Sequence, residues 1–335
     1  MLGIIFMRPS KEEFDKLMEE AIGDTLEQKC ISIGSKLNVT SRTIRNWYEV
    51  YKSDLRVEDT VKKSKKDFED WMKNYHEDSP TPKCLEYSAS INSRCLIICM
   101  ADTHIGSKAC LRDRLLQDVK AIKDLDHVFV LFLGDVIDWG PDAPKGLAQD
   151  QQLQYISQLD AAKTMFDEIG HKVLALTSGC HSHFGSNATG RTIEEELAEK
   201  TLTGAFLSDG GILNLTVGKV TYKIFMTHRT KGTSKLNPSR AIMQLNELDL
   251  DFDIGIEAHR HTPNINVSLR RQKSVIAINC GAYKGLDTFA NRFAYIQQPT
   301  NIPGFILDSE SRKIMPFIDW REGLDLVTVW QQGEK

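Results

Sequence analysis

The sequence predicts an α/β protein that is preceded by a small all-α domain containing a helix-turn-helix. Apolar residues recur at helical spacing through about the first 56 positions, whereas from Cys95 onward short apolar runs alternate with polar turns, as buried strands do. Between these regions, residues 76–83 are rich in proline, serine and acidic side chains, which indicates a linker. We therefore expect a helix-turn-helix domain over 1–56, a connecting helix and linker over 57–93, and the α/β domain over 94–335.

The composition excludes several classes of protein. Of the 335 residues 41% are hydrophobic, and no apolar run approaches the ~20 residues that span a bilayer, so we expect no membrane span. The start, MLGIIFM, lacks the basic region and cleavage site of a secretory signal. The seven cysteines form no CxxC pair, which argues against a zinc ribbon or disulfide scaffold and favours a reducing cytoplasm. The net charge of -4 gives no overall attraction to nucleic acid, so DNA binding would depend on local basic patches.

Three helices are predicted in the N-terminal domain. Ser10 and Glu13 form a capping-box pattern, which places the start of the first helix near Lys11. Helical spacing continues over 26–37 and again from 40 to about 51, with a turn between these two helices.

The second and third helices resemble the helix-turn-helix modules of resolvases, transposases and phage regulators. Gly34 permits close approach of the helices, and Ile44 and Trp47 would face inward. Arg42 and Arg45 would then lie on the exposed side of the third helix, where they could contact DNA phosphates or bases. The alternative is a three-helix domain that contacts another protein. Beyond it, the apolar stripe over 57–75 predicts a connecting helix, which could also hold two copies together as a homodimer.

The larger domain contains six short apolar runs that are predicted to be buried strands. They are Cys95 to Met100, Val128 to Leu133, Val173 to Leu176, Tyr222 to Met226, Ile254 to Ile256 and Val275 to Ile278. Helical spacing over 111–123 and 153–169 predicts helices between them, and residues 304–318 read as a closing hairpin.

Residues that can bind a metal ion follow most of these strands. Asp102 and His104 come directly after the first strand, and residues two apart in an extended segment share a face, so both could chelate one ion. Gly134 allows a tight turn before Asp135. The remaining candidates after strand ends are Asp138, His181, His228, His259 and His261. A lone histidine is usually structural, but five histidines at equivalent positions indicate a site at the carboxyl ends of the strands.

In this order, the motifs DTH, GDVID, GCH, a separate His228 and HRH resemble those of the calcineurin-like metallophosphoesterase family over about Cys95 to Cys280. The resemblance implies a β-sandwich flanked by helices and two divalent metal ions, manganese first, with zinc or iron as alternatives. It assigns Asp102, His104 and His261 to the first ion, His228 and His259 to the second, and Asp135 to both. Two such cations, about 3.5 to 4 Å apart, clamp a phosphate and activate water.

The resemblance also implies catalytic roles for two residues that bind no metal. His181 would protonate the leaving oxygen, and Asp138 would orient His181 through a hydrogen bond. Cys180 departs from the family pattern, because the usual residue is an asparagine whose side-chain oxygen binds the second ion. A thiolate could replace that amide and would favour zinc over manganese. Alternatively, Cys180 remains a neutral thiol and the second ion binds weakly.

The substrate class is suggested by two further features. Trp139 occupies the position where protein phosphatases of the family carry a phosphate-binding arginine, which argues against a phosphoprotein substrate. Arg229, Lys231 and Lys235 lie in a basic loop that suits an extended polyanion, although an ordinary solvated loop is the alternative.

Together with the helix-turn-helix, the basic loop favours DNA as the substrate and phosphodiester hydrolysis as the reaction. The arrangement resembles a phage or prophage protein related to the DNA-repair exonuclease branch of the family, acting in the cytoplasm of a bacterial host. One alternative is a phosphatase or phosphodiesterase for small phosphate esters. Another is a DNA-binding regulator with a weakened catalytic site.

Overall fold

A computed structural model describes residues 9–37, 39–48, 51, 84–139, 150–183, 190–232, 234, 237–247, 250–270 and 273–333. The chain divides into two compact units, Met1–Lys83 and Cys84–Lys335. The predicted helix over 57–75 and the linker over 76–83 lie outside the described residues. Among those that are described, no helix is both long and apolar enough to cross a membrane.

The N-terminal unit contains α1 (Lys11–Glu20), α2 (Leu26–Leu37) and α3 (41–48). The capping box at α1 is formed, since Ser10 Oγ accepts from Glu13 N at 3.3 Å and Glu13 Oε2 accepts from Ser10 N at 2.8 Å. Gly34 lies against the turn before α3, where a Cβ atom would come within 2.8 Å of Val39 O. The buried core of this unit consists of Phe14, Cys30, Ile33, Ile44 and Tyr51.

The second unit is built from two β-sheets. Six strands follow the order β1-β5-β6-β7-β9-β8 in one sheet, and five follow the order β11-β10-β2-β3-β4 in the other. The strands are β1 (Leu85–Ile91), β2 (Cys95–Met100), β3 (Val128–Leu133), β4 (Val173–Thr177), β5 (Gly210–Val217), β6 (Val220–Thr227), β7 (Ile254–Glu257), β8 (Asn264–Arg270), β9 (Lys273–Asn279), β10 (Gly304–Leu307) and β11 (Ile314–Phe317). All six predicted strands are present, and β10 and β11 form the predicted antiparallel hairpin.

The helices of this unit are α4 (Arg112–Asp124), α5 (Tyr155–Ile169), α6 (Ile193–Ala198), α7 (Arg240–Glu247), α8 (Thr288–Arg292) and α9 (Leu324–Gly333). Strand β2 shows how the layers are arranged. Cys95, Ile97 and Cys99 belong to the core between the two sheets, while Leu96 and Ile98 belong to the core under α4 and α5. A second helical layer covers the other sheet, because residues of α7 pack with Phe225 and Phe252. The α/β fold class is therefore confirmed.

One boundary differs from the sequence prediction. The α/β domain was expected to begin at 94, but β1 pairs in parallel with β5 and extends the six-stranded sheet from Leu85. The strand lies at a sheet edge and most of its residues are exposed, so it lacks the continuous apolar run by which buried strands are recognised.

Candidate metal centre

The candidate site lies at the carboxyl ends of parallel strands. Strands β2, β3 and β4 run parallel in one sheet, and β6 and β7 run parallel in the other. The loops that follow them are joined by main-chain hydrogen bonds, including Asp102 N to Gly134 O at 3.1 Å and His104 N to Asp135 O at 3.0 Å. The polar residues that the sequence places after separate strands are thereby brought together.

Asp102, His104 and His261 form one group of donor atoms. Asp102 Oδ1 lies 3.3 Å from His261 Nε2 and 3.8 Å from His104 Nε2, and the two Nε2 atoms are 3.3 Å apart. His104 donates its Nδ1 proton to Asp138 Oδ1 at 2.8 Å, which leaves the Nε2 lone pair for the group. These three donors lie close enough to hold one metal ion.

Cys180, His228 and His259 form a second such group, with ligand atoms within 4.8 Å of one another. His228 donates its Nδ1 proton to Leu133 O at 2.7 Å, so its Nε2 is the nitrogen that faces the group. Burial acts to raise the pKa of the Cys180 thiol, but the facing His228 and His259 imidazoles outweigh it and lower this pKa to about 6.

Asp135 lies between the two groups. Its Oδ2 is 3.1 Å from His228 Nε2 and 3.9 Å from His104 Nε2, and its Oδ1 accepts from His181 N at 2.8 Å. Burial acts to raise the pKa of the Asp102 and Asp135 carboxyls, but the facing imidazole rings outweigh it, and each pKa lies well below its usual range. Both side chains are therefore carboxylates, the form that binds a cation.

Two buried atoms in this cluster lack a hydrogen-bond partner. They are Asp102 Oδ1 and His228 Nε2, one from each group. A buried polar atom without a partner is costly, and native structures avoid it unless an ion or water satisfies the atom. Carboxylate, imidazole and thiol donors match the ligands of divalent zinc, manganese or iron. The residues present therefore fit a centre of divalent metal ions.

The backbone of the site is held in the left-handed region. Asp102, His104, Asp135, His259 and His261 have φ angles of 50°, 44°, 49°, 69° and 55°. Only three other non-glycine residues of the described chain have positive φ. Each such residue costs of order 1 kcal/mol or more, and such strain concentrates at functional sites.

Two glycines allow the β3 and β4 loops to touch. Gly134 has φ 75°, and a Cβ atom on it would lie 2.6 Å from Gly179 Cα. A Cβ atom on Gly179 would lie 2.0 Å from Asp135 N. Only glycine fits at these positions, and the close approach brings Asp135 beside Cys180 and His181.

His181 contacts both Asp138 and the first group. Its ring meets the His104 ring edge-on at a centroid distance of 4.8 Å, and its Nδ1 donates to the main-chain oxygen of Asp138 at 3.2 Å. The Asp138 carboxylate lies 4.0 Å from His181 Nδ1. His181 also forms a candidate donor group with His104 and Asp135, so its side chain is placed for either a catalytic or a ligand role.

The Asp138 carboxylate makes its short contacts elsewhere. Besides His104, its oxygens accept from Lys284 Nζ at 2.8 Å and Gln151 Nε2 at 2.7 Å. Lys284 is only 9% exposed and also contacts Asp287 Oδ2 at 3.0 Å. The sequence prediction omitted Lys284 and Gln151; the one available signal was that Lys284 follows soon after strand β9, as the metal-ligand candidates follow theirs.

The basic residues predicted to bind nucleic acid are exposed where they are described. Arg42 and Arg45 are exposed on α3. Arg229 and Lys231 are exposed directly after His228 and line an open depression with Thr230 and Gly232. Lys235 lies outside the described residues.

The sequence matches no protein-family model and no curated protein. Among solved structures, the chain is similar to a predicted phosphoesterase from Streptococcus pneumoniae TIGR4, with 15% identity over 68% of this chain and 91% of that one and a TM-score of 0.33. It is similar to the calcineurin-like phosphoesterase YfkN from Bacillus subtilis at 10% identity, 68% and 90% coverage and a TM-score of 0.36. The nuclease MPE from Pseudomonas putida gives 11% identity, 66% and 87% coverage and a TM-score of 0.31. Values this low do not assign a family or an activity.

Proposed function

We propose that this chain is a calcineurin-like metallophosphoesterase that hydrolyses phosphate esters with two divalent metal ions. The observation that carries the proposal is the pair of donor groups, one on each side of Asp135. The order of these residues along the chain agrees with the family motifs, and the unpartnered Asp102 Oδ1 and His228 Nε2 support an ion on each side.

In this proposal Asp102, His104 and His261 would hold one ion, Cys180, His228 and His259 would hold the other, and Asp135 would serve both. Two divalent ions in such a site neutralise phosphate charge and make water a better nucleophile at neutral pH. Hydrogen bonds hold two of these histidines in place. His228 donates to Leu133 O, and His104 donates to the Asp138 carboxylate.

His181 is the candidate general acid. Because its Nδ1 proton is donated to the Asp138 main-chain oxygen, a proton passed to the leaving oxygen comes from Nε2. Burial lowers the pKa of His181, which makes its imidazolium a stronger acid. Asp138 aligns His181 through its main-chain oxygen in this arrangement, while its carboxylate serves His104.

The first experiment compares wild type with Asp135→Asn, His181→Ala and the exposed His171→Ala on a chromogenic phosphodiester, with manganese and with zinc. Asp135→Asn should lose both bound metal and activity. His181→Ala should keep two ions per chain and lose about 10²- to 10⁴-fold in kcat, the usual contribution of a general acid. His171→Ala should match wild type. A His181→Ala variant that binds one ion fewer would make His181 a ligand, and two bound ions without hydrolysis of any phosphate ester would overturn the proposal.

We further propose that the substrate is DNA and that the chain is a nuclease of phage or prophage type. Arg229 and Lys231 support this proposal, because they place positive charge beside His228. Arg42 and Arg45 support a helix-turn-helix that binds DNA, since both are exposed on the helix that follows a short turn. A homodimer formed through residues 57–75 and a location in the bacterial host cytoplasm remain part of the proposal.

The substrate class is tested with Arg229→Ala/Lys231→Ala, using the exposed Lys120→Ala on α4 as a control. The double variant should have a lower kcat/KM on labelled DNA but an unchanged kcat/KM on the small diester. The slope of log DNA-binding constant against log salt concentration should become shallower by about one unit for each phosphate contact that is lost. Equal losses on both substrates would exclude a DNA-contacting role. Hydrolysis of the diester without DNA cleavage would move the assignment to small phosphate esters.

A further inference from the structure

The two halves of the proposed centre differ in one donor. Asp102 completes one half with a carboxylate, whereas Cys180 completes the other with sulfur. Each half otherwise has two imidazoles and shares Asp135. Sulfur is the soft donor of this set, and thiolate ligands select zinc over manganese, while carboxylates accept manganese and other hard ions. The chemistry of the halves is therefore not equivalent.

The position of Cys180 is set by the surrounding backbone. It follows Gly179, which packs directly on the main chain of Asp135, so Cys180 is held beside the shared carboxylate. An independent observation points to a ligand at the same place. His228 is 3% exposed, its Nδ1 is bound to Leu133 O, and its Nε2 has no hydrogen-bond partner although it lies within 4.8 Å of the Cys180 sulfur.

Cys110 provides a contrast. It also lies near the site, but its Sγ donates to Thr103 O at 3.3 Å and belongs to none of the candidate donor groups of the described chain. The Cys110 thiol thus has a main-chain acceptor, whereas the Cys180 sulfur lies with the His228 and His259 imidazoles in one donor group.

We infer that Cys180 binds the second ion as a thiolate, so that this half is selective for zinc and the Asp102 half takes a harder ion such as manganese. The inference rests on the proposed two-metal function and adds that the two ions differ, one of them being zinc. On binding, the S–H bond breaks, the proton leaves to solvent, a sulfur–metal bond forms, and no electron is transferred. Cys180, His228, His259 and Asp135 supply four donors, the number that zinc prefers with nitrogen and sulfur ligands.

The test uses cobalt as a spectroscopic substitute for zinc. Metal-free protein is loaded with two equivalents of cobalt and examined for the sulfur-to-cobalt charge-transfer band in the near ultraviolet. Wild type and Cys110→Ser should show the band, while Cys180→Ser and Cys180→Asn should not. One equivalent of zinc should remove the band from wild type and leave one cobalt bound, whereas an equivalent of manganese should leave the band unchanged. In Cys180→Ser the zinc affinity of this half should fall at least about tenfold, because loss of a group that only supports a metal ligand already lowers affinity by that factor.

The inference would be overturned if wild type bound no cobalt, or bound two cobalt ions without showing the band. It would also be overturned if the band persisted in Cys180→Ser, or if manganese displaced the band-producing cobalt ion as readily as zinc does. The wild-type spectrum decides the matter even if a Cys180 variant does not fold. The proposed function fails separately. A band without hydrolysis of any phosphate ester would leave the thiolate site standing and remove the phosphoesterase assignment, while hydrolysis without the band would do the reverse.

Discussion

Replacing Lys284 by methionine tests whether the lysine positions a metal ligand. Its ammonium contacts Asp138 Oδ1 at 2.8 Å and Asp287 Oδ2 at 3.0 Å, and the side chain is 9% exposed. Asp138 in turn accepts from His104 Nδ1 at 2.8 Å. Methionine has nearly the same length but neither charge nor donors, so the variant leaves the buried Asp138 carboxylate and the partly buried Asp287 carboxylate without their cation.

The expected magnitude follows from this burial. Removing one partner of a buried ion pair costs about 3–5 kcal/mol, and we expect about 3 kcal/mol because Asp138 keeps its hydrogen bonds with His104 and Gln151. Loss of a contact that orients a ligand lowers metal affinity about 10- to 100-fold, and the lower figure applies since Lys284 acts through Asp138. Lys284→Arg keeps the charge and should recover most of both quantities.

Urea unfolding of the metal-free protein and manganese titration by calorimetry measure the two effects. Lys163→Met is the control, because Lys163 and its partner Glu196, 3.1 Å away, are both 40% exposed. It should lower the free energy of unfolding by less than about 1 kcal/mol and leave metal affinity unchanged. If Lys284→Met lowers stability but binds manganese as tightly as wild type, Lys284 is structural only. Stability and affinity both equal to wild type would refute the description of this ion pair.

Three further predictions concern other parts of the molecule. Gly179→Ala should lower the free energy of unfolding by about 3 kcal/mol, the upper range for overpacking, because the new Cβ would lie 2.0 Å from Asp135 N. It should also abolish binding of two ions. Gly285→Ala is the control in the same urea and metal assays and should change neither quantity, since its Cβ would have no neighbour closer than 3.5 Å. Burial raises the pKa of Glu194 from 4.5 to about 7, so the folded state binds this proton more tightly than the unfolded state does. The free energy of unfolding should therefore fall by about 3 kcal/mol as pH rises from 4.5 to 7. Glu194→Gln should flatten that part of the curve of stability against pH, and an unchanged slope would contradict the raised pKa of Glu194. In the N-terminal unit, Ile44→Ala should cost about 2–5 kcal/mol in thermal unfolding, whereas Ile31→Ala, 53% exposed, should cost little; equal effects would mean that Ile44 is not part of a packed core.

Much of the fold could be predicted because the central strands are buried on both faces. Strands β2, β3 and β4 appear in the sequence as continuous apolar runs, and the helices beside them have clear apolar spacing. Strand β1 gave no such signal, because its exposed residues cover a sheet edge, and neither did β8, whose Val267 and Leu269 are exposed. Edge strands lack the burial that makes a run apolar, so these two were not predicted. The internal strand β5 was not predicted either, because the partly exposed Asn214 and Thr216 interrupt its apolar residues.

The donor residues were predictable for a related reason. Parallel strands bring their carboxyl ends to one edge, so residues that follow different strands must meet whatever their separation in sequence. The partner of each donor was not predictable, because it depends on side chains from loops without a pattern. Lys284 is 146 residues from Asp138, and no spacing rule connects them. The family resemblance implied a hydrogen bond by which Asp138 orients His181. In the structure the main-chain oxygen of Asp138 accepts from His181, while its carboxylate lies 4.0 Å from His181 Nδ1 and accepts from His104.

The positive φ angles at the site have a consequence for how its chemistry could be changed. Five strained residues persist in one place only if surrounding contacts hold them, and here the loops hold one another through Asp102 N to Gly134 O, His104 N to Asp135 O and His259 N to Asp102 Oδ2. Main-chain atoms supply at least one partner in each of these bonds, so most of this frame does not depend on which side chain stands at position 180. In the proposed centre, a substitution at position 180 would change one donor while the positions of the other candidate ligands are preserved. The choice of metal ion can therefore vary independently of the fold, through the single residue at which the two halves differ.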